Sequence, residues 1–251
     1  MDKLAVARKK LIVALDVSTA QEAEKLVKKL ATRVGMFKIG KQLFTSQGPS
    51  IVRRVKKLGG KVFLDLKYHD IPNTVKEASL EAASLGVSMF NMHCSGGRRM
   101  MTEARAGIDT LDKKKRPIIL GVTILTSHNY DDFVDMEFFP QIGDDKERKE
   151  KYLRDRVVRL AKIAKECTLD GVVASPLEAA DIRKECGPRF LIVTPGIRPL
   201  SAQHNDQERV MTPGEAIRVG IDFVVVGRPV YGAPDPVRAA DDIIEEMAAA
   251  L

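Results

Sequence analysis

The stretch Asp65-Leu66-Lys67-Tyr68-His69-Asp70 sets two carboxylates and a lysine within six residues. The apolar run Val62-Phe63-Leu64 leads into it. Alternation along an extended strand puts Phe63, Asp65 and Lys67 on one face and Val62, Leu64 and Leu66 on the other. A lysine beside two carboxylates stays an ammonium, because opposite charge favours its charged form. It is then a poor amine nucleophile and a competent proton donor. The carboxylates would repel an anionic group on a bound ligand. Loss of that group as a neutral molecule would relieve the repulsion, and the ammonium could stabilise and protonate the carbanion left behind. An arbitrary D-x-K-x-x-D reads better as a surface salt-bridge cluster. Here the charges stand where a buried strand should end, which favours chemistry.

Elements that could position these groups follow from hydrophobic patterning. Eight apolar runs read as strands: Leu11-Ile12-Val13-Ala14-Leu15, Met36-Phe37-Lys38-Ile39-Gly40, the run from Val62, residues 87–93, residues 118–125, Gly171-Val172-Val173-Ala174, Phe190-Leu191-Ile192-Val193 and Phe223-Val224-Val225-Val226. Each is followed by a helical pattern. Ser18-Thr19-Ala20-Gln21 and Thr74-Val75-Lys76-Glu77 have capping-box spacing, so helices are expected to about Ala31 and from about Asn73 to Leu85. Another is expected from about Pro49 to Leu58. Ser175-Pro176-Leu177-Glu178 and Thr212-Pro213-Gly214-Glu215 read as N-cap, proline at the first helical position and glutamate at the third. Continuous apolar strands alternating with helices predict parallel strands covered on both sides. The expected fold is therefore a single-domain (β/α)8 TIM barrel spanning residues 1–251. A doubly wound sheet usually shows a glycine-rich turn after its first strand, and Leu15-Asp16-Val17-Ser18 has none. One segment breaks the rhythm. Residues 127–150 are polar, acidic and aromatic, and read as a long loop with a short helix after strand five, leading into a helix from about Lys151 to Lys165. Two readings are open for it, an active-site cover and a tolerated surface insertion.

Composition narrows the function classes. At 251 residues with 44% apolar content the chain can bury a real core. No run approaches the roughly 20 apolar residues of a membrane span, and the N-terminal residues do not read as a signal peptide. Cys94, Cys167 and Cys186 are odd in number and far apart, which suggests a reducing compartment and argues against a disulfide framework or a zinc site. A cytoplasmic protein is the expectation. The net charge of +7 invites a nucleic-acid reading. The cations are spread among acids on helical faces, however, and with 5% aromatic residues and no tryptophan there is little to stack bases on.

In a barrel of this kind, active sites lie at the C-terminal ends of the strands. There the sequence offers Asp16, Lys38, Asp65, Lys67, His93, Thr126, Ser127, Ser175, Arg198 and Arg228, expected to converge on one mouth. The last two units carry Pro195-Gly196 with Arg198 and Gly227-Arg228, the usual phosphate corner of such barrels: backbone N–H groups exposed by glycine, plus a guanidinium. A phosphate gripped there would supply remote binding energy for chemistry at Lys67. The constellation suits decarboxylation of a phosphorylated substrate without metal or organic cofactor. From physical chemistry alone, a sugar-phosphate isomerase or aldolase stays open.

Asp65-Leu66-Lys67-Tyr68-His69-Asp70-Ile71-Pro72-Asn73-Thr74 matches the D-x-K-x-x-D-I-P-x-T signature of the orotidine 5′-monophosphate decarboxylase family, and the chain resembles its bacterial type over about residues 11–240. Ala14-Leu15-Asp16, Phe37-Lys38-Ile39-Gly40, Leu125-Thr126-Ser127, Val193-Thr194-Pro195-Gly196-Ile197-Arg198 and Val226-Gly227-Arg228-Pro229 match in order. The resemblance implies a cofactor-independent and metal-independent lyase that converts orotidine 5′-monophosphate to uridine 5′-monophosphate, the last step of de novo pyrimidine synthesis. It implies Lys67 as proton donor, Asp65 as the carboxylate beside the leaving group, and Asp70 reaching into the neighbouring subunit's site of a homodimer with shared active sites. Asp16, Lys38 and Thr74 would hold the ribose hydroxyls and Thr126 and Ser127 the pyrimidine. Gln207, Arg228 and the backbone of Gly227 would hold the phosphate, with Arg198 on the loop closing over it; Ile71, Asn73 and Pro195 complete the substrate-binding set. Asn205 stands where the family usually has glycine, and residues 128–150 are longer and more acidic than expected of bacterial members. A magnesium-dependent sister activity on sugar phosphates shares the D-x-K-x-x-D block. It usually carries a glutamate on strand two, where Lys38 stands here. A non-enzymatic nucleotide- or RNA-binding barrel is a third reading, against which Asp65, Lys67 and Asp70 are all retained.

Overall fold

A computed structural model of the chain describes residues 2–199 and 211–251. It begins with a helix that the patterning did not announce, α1 (Lys3–Lys10). Then follow β1 (Leu11–Ala14), α2 (Ala20–Leu30), β2 (Met36–Gly40), α3 (Lys41–Gln47), α4 (Ser50–Lys57), β3 (Val62–Tyr68), α5 (Pro72–Ser84), β4 (Met89–His93), α6 (Gly97–Asp109) and β5 (Ile118–Val122). The second half runs α7 (Tyr130–Asp135), α8 (Lys146–Glu166), β6 (Gly171–Val173), α9 (Ala179–Cys186), β7 (Leu191–Thr194), α10 (Pro213–Arg218), β8 (Phe223–Val226), α11 (Arg228–Tyr231) and α12 (Pro236–Ala249).

The strands close in sequence order into one barrel, with β1 parallel to both β2 and β8. The TIM-barrel expectation holds. Its physical basis is visible in two separate apolar layers. Ile12, Met36, Phe63, Met89, Leu120, Val193 and Val225 point inward and fill the barrel. Val13, Phe37, Leu64, Phe90, Ile119, Ile192 and Val224 point outward under the helices. Strands buried on both faces leave no room for an alternating polar pattern. The inner layer forms an apolar floor, and charge enters only above it, at the C-terminal ends of the strands. Cys94, Cys167 and Cys186 are buried free thiols, and no described helix is long and apolar enough to cross a membrane.

Several boundaries depart from expectation, each for a local reason. The box at the start of α2 is one residue later than read: Thr19 and Glu22 cap each other reciprocally. Thr74 does not cap α5. Pro72 opens that helix, whose N-cap residue is Ile71, so Thr74 lies inside the first turn. Proline at the first helical position overrides the box spacing because its missing N–H and fixed φ already suit a helix start. The helix expected at 49–58 is α4, capped by Pro49 and Leu58, and a further short helix that was not expected, α3, precedes it and ends at Gly48. Strand β5 stops at Val122, short of Thr126. The short helix expected within 127–150 is α7, capped by Asn129, whereas α8 starts earlier than read, its N-cap Asp145 beginning the helix before Lys151. The boxes at Ser175 and Thr212 do cap as read, although Pro176–Glu178 forms a 3-10 turn before α9.

Candidate active site

Strand β3 carries the centre of the site, and it is irregular there. Leu64 pairs with Phe90 and Tyr68 with Met92, so Asp65, Leu66 and Lys67 stand opposite Asn91 alone. Lys67 adopts a left-handed backbone, with φ of 53°. A non-glycine residue pays for that conformation about 1–2 kcal/mol. Despite the bulge, the alternation survives: Leu66 packs on the outer core while Asp65 and Lys67 face the cavity.

At the mouth the charges alternate in a chain across three strands. Lys38 Nζ lies 2.9 Å from Asp16 Oδ1 and 3.5 Å from Asp65 Oδ2. Lys67 Nζ donates to Asp65 Oδ1 at 2.6 Å. Burial alone would push the Lys38 amine down, but the Asp65 and Asp16 carboxylates outweigh it and leave the group raised above the ordinary lysine value. Gly40 makes room for this chain. A Cβ on it would sit 3.2 Å from Lys38 Nζ and 3.3 Å from Asp16 Oδ1, closer than most such contacts tolerate.

These groups line one side of a cavity of about 270 Å³. Its floor is apolar, from Ala14, Phe63, Val173 and Val225, and Ile124, Leu125, Thr126 and Ser127 form a wall. Strands β7 and β8 stand across the closed barrel from β3 and contribute Pro195, Gly196, Arg198, Gly227 and Arg228 to the same cavity. Gly196 has φ of 80°, and Arg198 is buried. One molecule spanning the cavity would thus meet alternating charges at one end and two arginines at the other.

The structure brings together Asp16, Lys38, Asp65, Lys67, Thr126, Ser127, Pro195, Arg198, Gly227 and Arg228 of the residues singled out from sequence. Asp70, Ile71, Asn73 and Thr74 do not line this chain's cavity. All four are exposed, Ile71 by 66%, and the Asp70 carboxylate accepts from the Ile71 N–H. Gln207, with Asn205, lies outside the described residues. Two strand-end groups expected at the mouth are absent from the lining. Ser175 caps the turn after β6 by accepting from the Leu177 N–H. The His93 ring lies against His69, at 5.4 Å between centroids, and burial, reinforced by His69, Lys41 and Lys67, pushes its pKa down to about 4. Sequence reasoning passed over Asn91, which is fully buried and donates to Asp65 Oδ1 at 2.7 Å. The one local signal was a lone amide among the apolar residues of β4. It also passed over Tyr231, which lines the cavity beside Arg228.

The model of the orotidine 5′-phosphate decarboxylase / HUMPS family matches residues 9–243. The chain belongs to this family. It is 53% identical over 251 residues to the orotidine 5′-phosphate decarboxylase of Syntrophotalea carbinolica, covering 99% of this chain and 98% of that protein. It is 51% identical over 247 residues to the Geobacter sulfurreducens enzyme of the same name, covering 97% and 98%. Among solved structures it resembles orotidine 5′-phosphate decarboxylase from Lactobacillus acidophilus, with TM-score 0.79, 35% identity and coverage of 94% and 98%. An uncharacterised conserved protein from Geobacillus kaustophilus is similar too, with TM-score 0.77, 37% identity and coverage of 94% and 99%.

Proposed function

We propose that this protein decarboxylates orotidine 5′-monophosphate to uridine 5′-monophosphate, the last step of de novo pyrimidine synthesis, using its own side chains. The observation that carries the reading is the chain Asp16–Lys38–Asp65–Lys67, which faces Arg198 and Arg228 across a single cavity. The arginines with Gly227 take the phosphate, a role that the resemblance also gives to Gln207. Asp16 and Lys38 take the ribose hydroxyls. Thr126 and Ser127 take the pyrimidine edge, over a floor apolar enough for a flat ring. The substrate carboxylate is then set against Asp65. The bond from that carboxylate to the ring carbon breaks with its electron pair left on carbon, carbon dioxide departs neutral, and the Lys67 ammonium delivers the proton. Water afterwards reprotonates the lysine. Grip on the distant phosphate holds the substrate against the local repulsion.

The reading includes a homodimer in the cytoplasm. Asp70, Ile71, Asn73 and Thr74, exposed beside the mouth, would complete the partner's site. The magnesium-dependent sister reaction is disfavoured by Lys38, whose ammonium occupies the space between two carboxylates that a divalent cation would need. The test is decay of orotidylate absorbance in the presence of excess chelator. Turnover is expected to persist. No turnover, or turnover restored only by magnesium, removes the assignment.

A further inference from the structure

We infer that Asn91 is a positioning residue for Asp65 and Lys67, holding the proton donor and its carboxylate in register through a bulge that the backbone leaves unpaired. The inference rests on the decarboxylase reading and extends it to a residue outside the lining of the described cavity. Three residues of β3 face Asn91 alone, so ladder pairing fails where the chemistry is placed. The carboxamide fills the gap from both ends. Its Oδ1 accepts from the Lys67 N–H at 2.8 Å, and its Nδ2 donates to Asp65 Oδ1 at 2.7 Å. The first bond supports the left-handed backbone of Lys67. The second falls on the same oxygen that accepts Lys67 Nζ, leaving Oδ2 turned to Lys38. Asn91 therefore sets the plane of the Asp65 carboxylate as well as the start of the Lys67 side chain. It is fully buried, which favours a bond to a charged acceptor over exchange with solvent.

The charged and titratable groups around Asn91 are Asp65 and Lys67 on β3, Lys38 beyond them on β2, and His93 on its own strand; its partner on β5 is Leu120. Steady-state decarboxylation by the full chain, compared across pH for wild type, Asn91→Leu and Asn91→Asp, tests the inference. In Asn91→Leu, kcat is expected to fall about 100-fold, the usual scale for a displaced reacting group. KM should change by less than about threefold, because the phosphate-side contacts are untouched. Asn91→Asp keeps the shape. Protonated, it can still donate to Asp65 and accept from Lys67; ionised, it sets two carboxylates in contact in a dry place, which disfavours its charged form. Its kcat relative to wild type should therefore rise as pH falls from about 8 to about 5.5, a recovery that loss of packing would not produce. A kcat for Asn91→Leu within about threefold of wild type, or a pH-independent ratio for Asn91→Asp, overturns the inference. If Asn91→Leu does not fold, the Asn91→Asp ratio decides alone. A wild-type protein without turnover sinks the decarboxylase reading instead. Substrate-free amide exchange at Lys67 then decides the hold on the bulge: it should quicken about tenfold in Asn91→Asp at alkaline pH, and unchanged exchange overturns it.

Discussion

Lys38 keeps its charge against burial because two carboxylates face it, while His93, at the end of β4 and outside the cavity lining, is driven neutral by burial. The chemistry of each group is set by its neighbours more than by its type. The His93 case yields a pH prediction with a definite sign. Its folded pKa of about 4 lies below the ordinary 6.5, so the unfolded chain takes up the proton first as pH falls. The stability tied to neutral His93 is complete above 6.5 and is lost progressively on acidification toward 4. His93→Gln should flatten this dependence in urea melts across that window. An unchanged pH profile would show that His93 is not held neutral. At this scale, the inward facing of Asp65 and Lys67 was readable from alternation. The roles of Asn91 and His93 were not, since each depends on a partner supplied by another strand or loop.

At the scale of elements, the bulge in β3 aims the site, and a repeated staple closes the opposite end of the barrel. Asp170, just before β6, accepts from the Ile119 N–H of β5 and meets Arg105 of α6. Asp222, just before β8, accepts from the Ile192 N–H of β7 and pairs with Arg183 of α9 at 2.6 Å. Arg183 also donates to the carbonyls of Gly187, Phe190 and Gly220. Each staple joins a helix, the strand after it and the next strand, at the end of the barrel away from the cavity mouth. Asp222→Ala would leave the buried Ile192 N–H unpaired, at a cost of about 2 kcal/mol. A melting temperature lower by about 4–8 °C is expected for a chain of this size, with kcat unchanged, because the N-terminal face of such a barrel lies at the end opposite the cavity. Calorimetry beside the decarboxylation assay checks both halves, and a kcat loss would show that the staple also reaches the mouth. Helix and strand identities were legible because the core periodicity is local. The ends were less so: Pro72 displaced the Thr74 box, and Asp145, in a stretch that looked like loop, caps α8.

At the scale of the molecule, closure of the barrel is what sets the charge chain of β1–β3 against the arginines of β7 and β8. It leaves Asp70, Ile71, Asn73 and Thr74 outside this chain's own cavity; in the proposed shared-site dimer they would serve the partner's. Mixing Lys67→Ala with Asp70→Ala subunits should restore about a quarter of wild-type activity at random exchange, since half the dimers are mixed and each has one intact site. No recovery on mixing would place Asp70 within its own subunit's chemistry. Sequence by itself determined the barrel class, the order of strands and helices and most of the residues that line the cavity, because apolar runs, helix starts and a ten-residue signature are properties of contiguous chain. Only the tertiary structure decided that three residues of β3 face one of β4, that Asn91 fills the gap, that Asp65 divides its oxygens between two lysines, and that the residues after Asp70 turn away from their own cavity. Those outcomes depend on register and closure between segments far apart in the chain, and a register shift leaves no mark in the local pattern of residues.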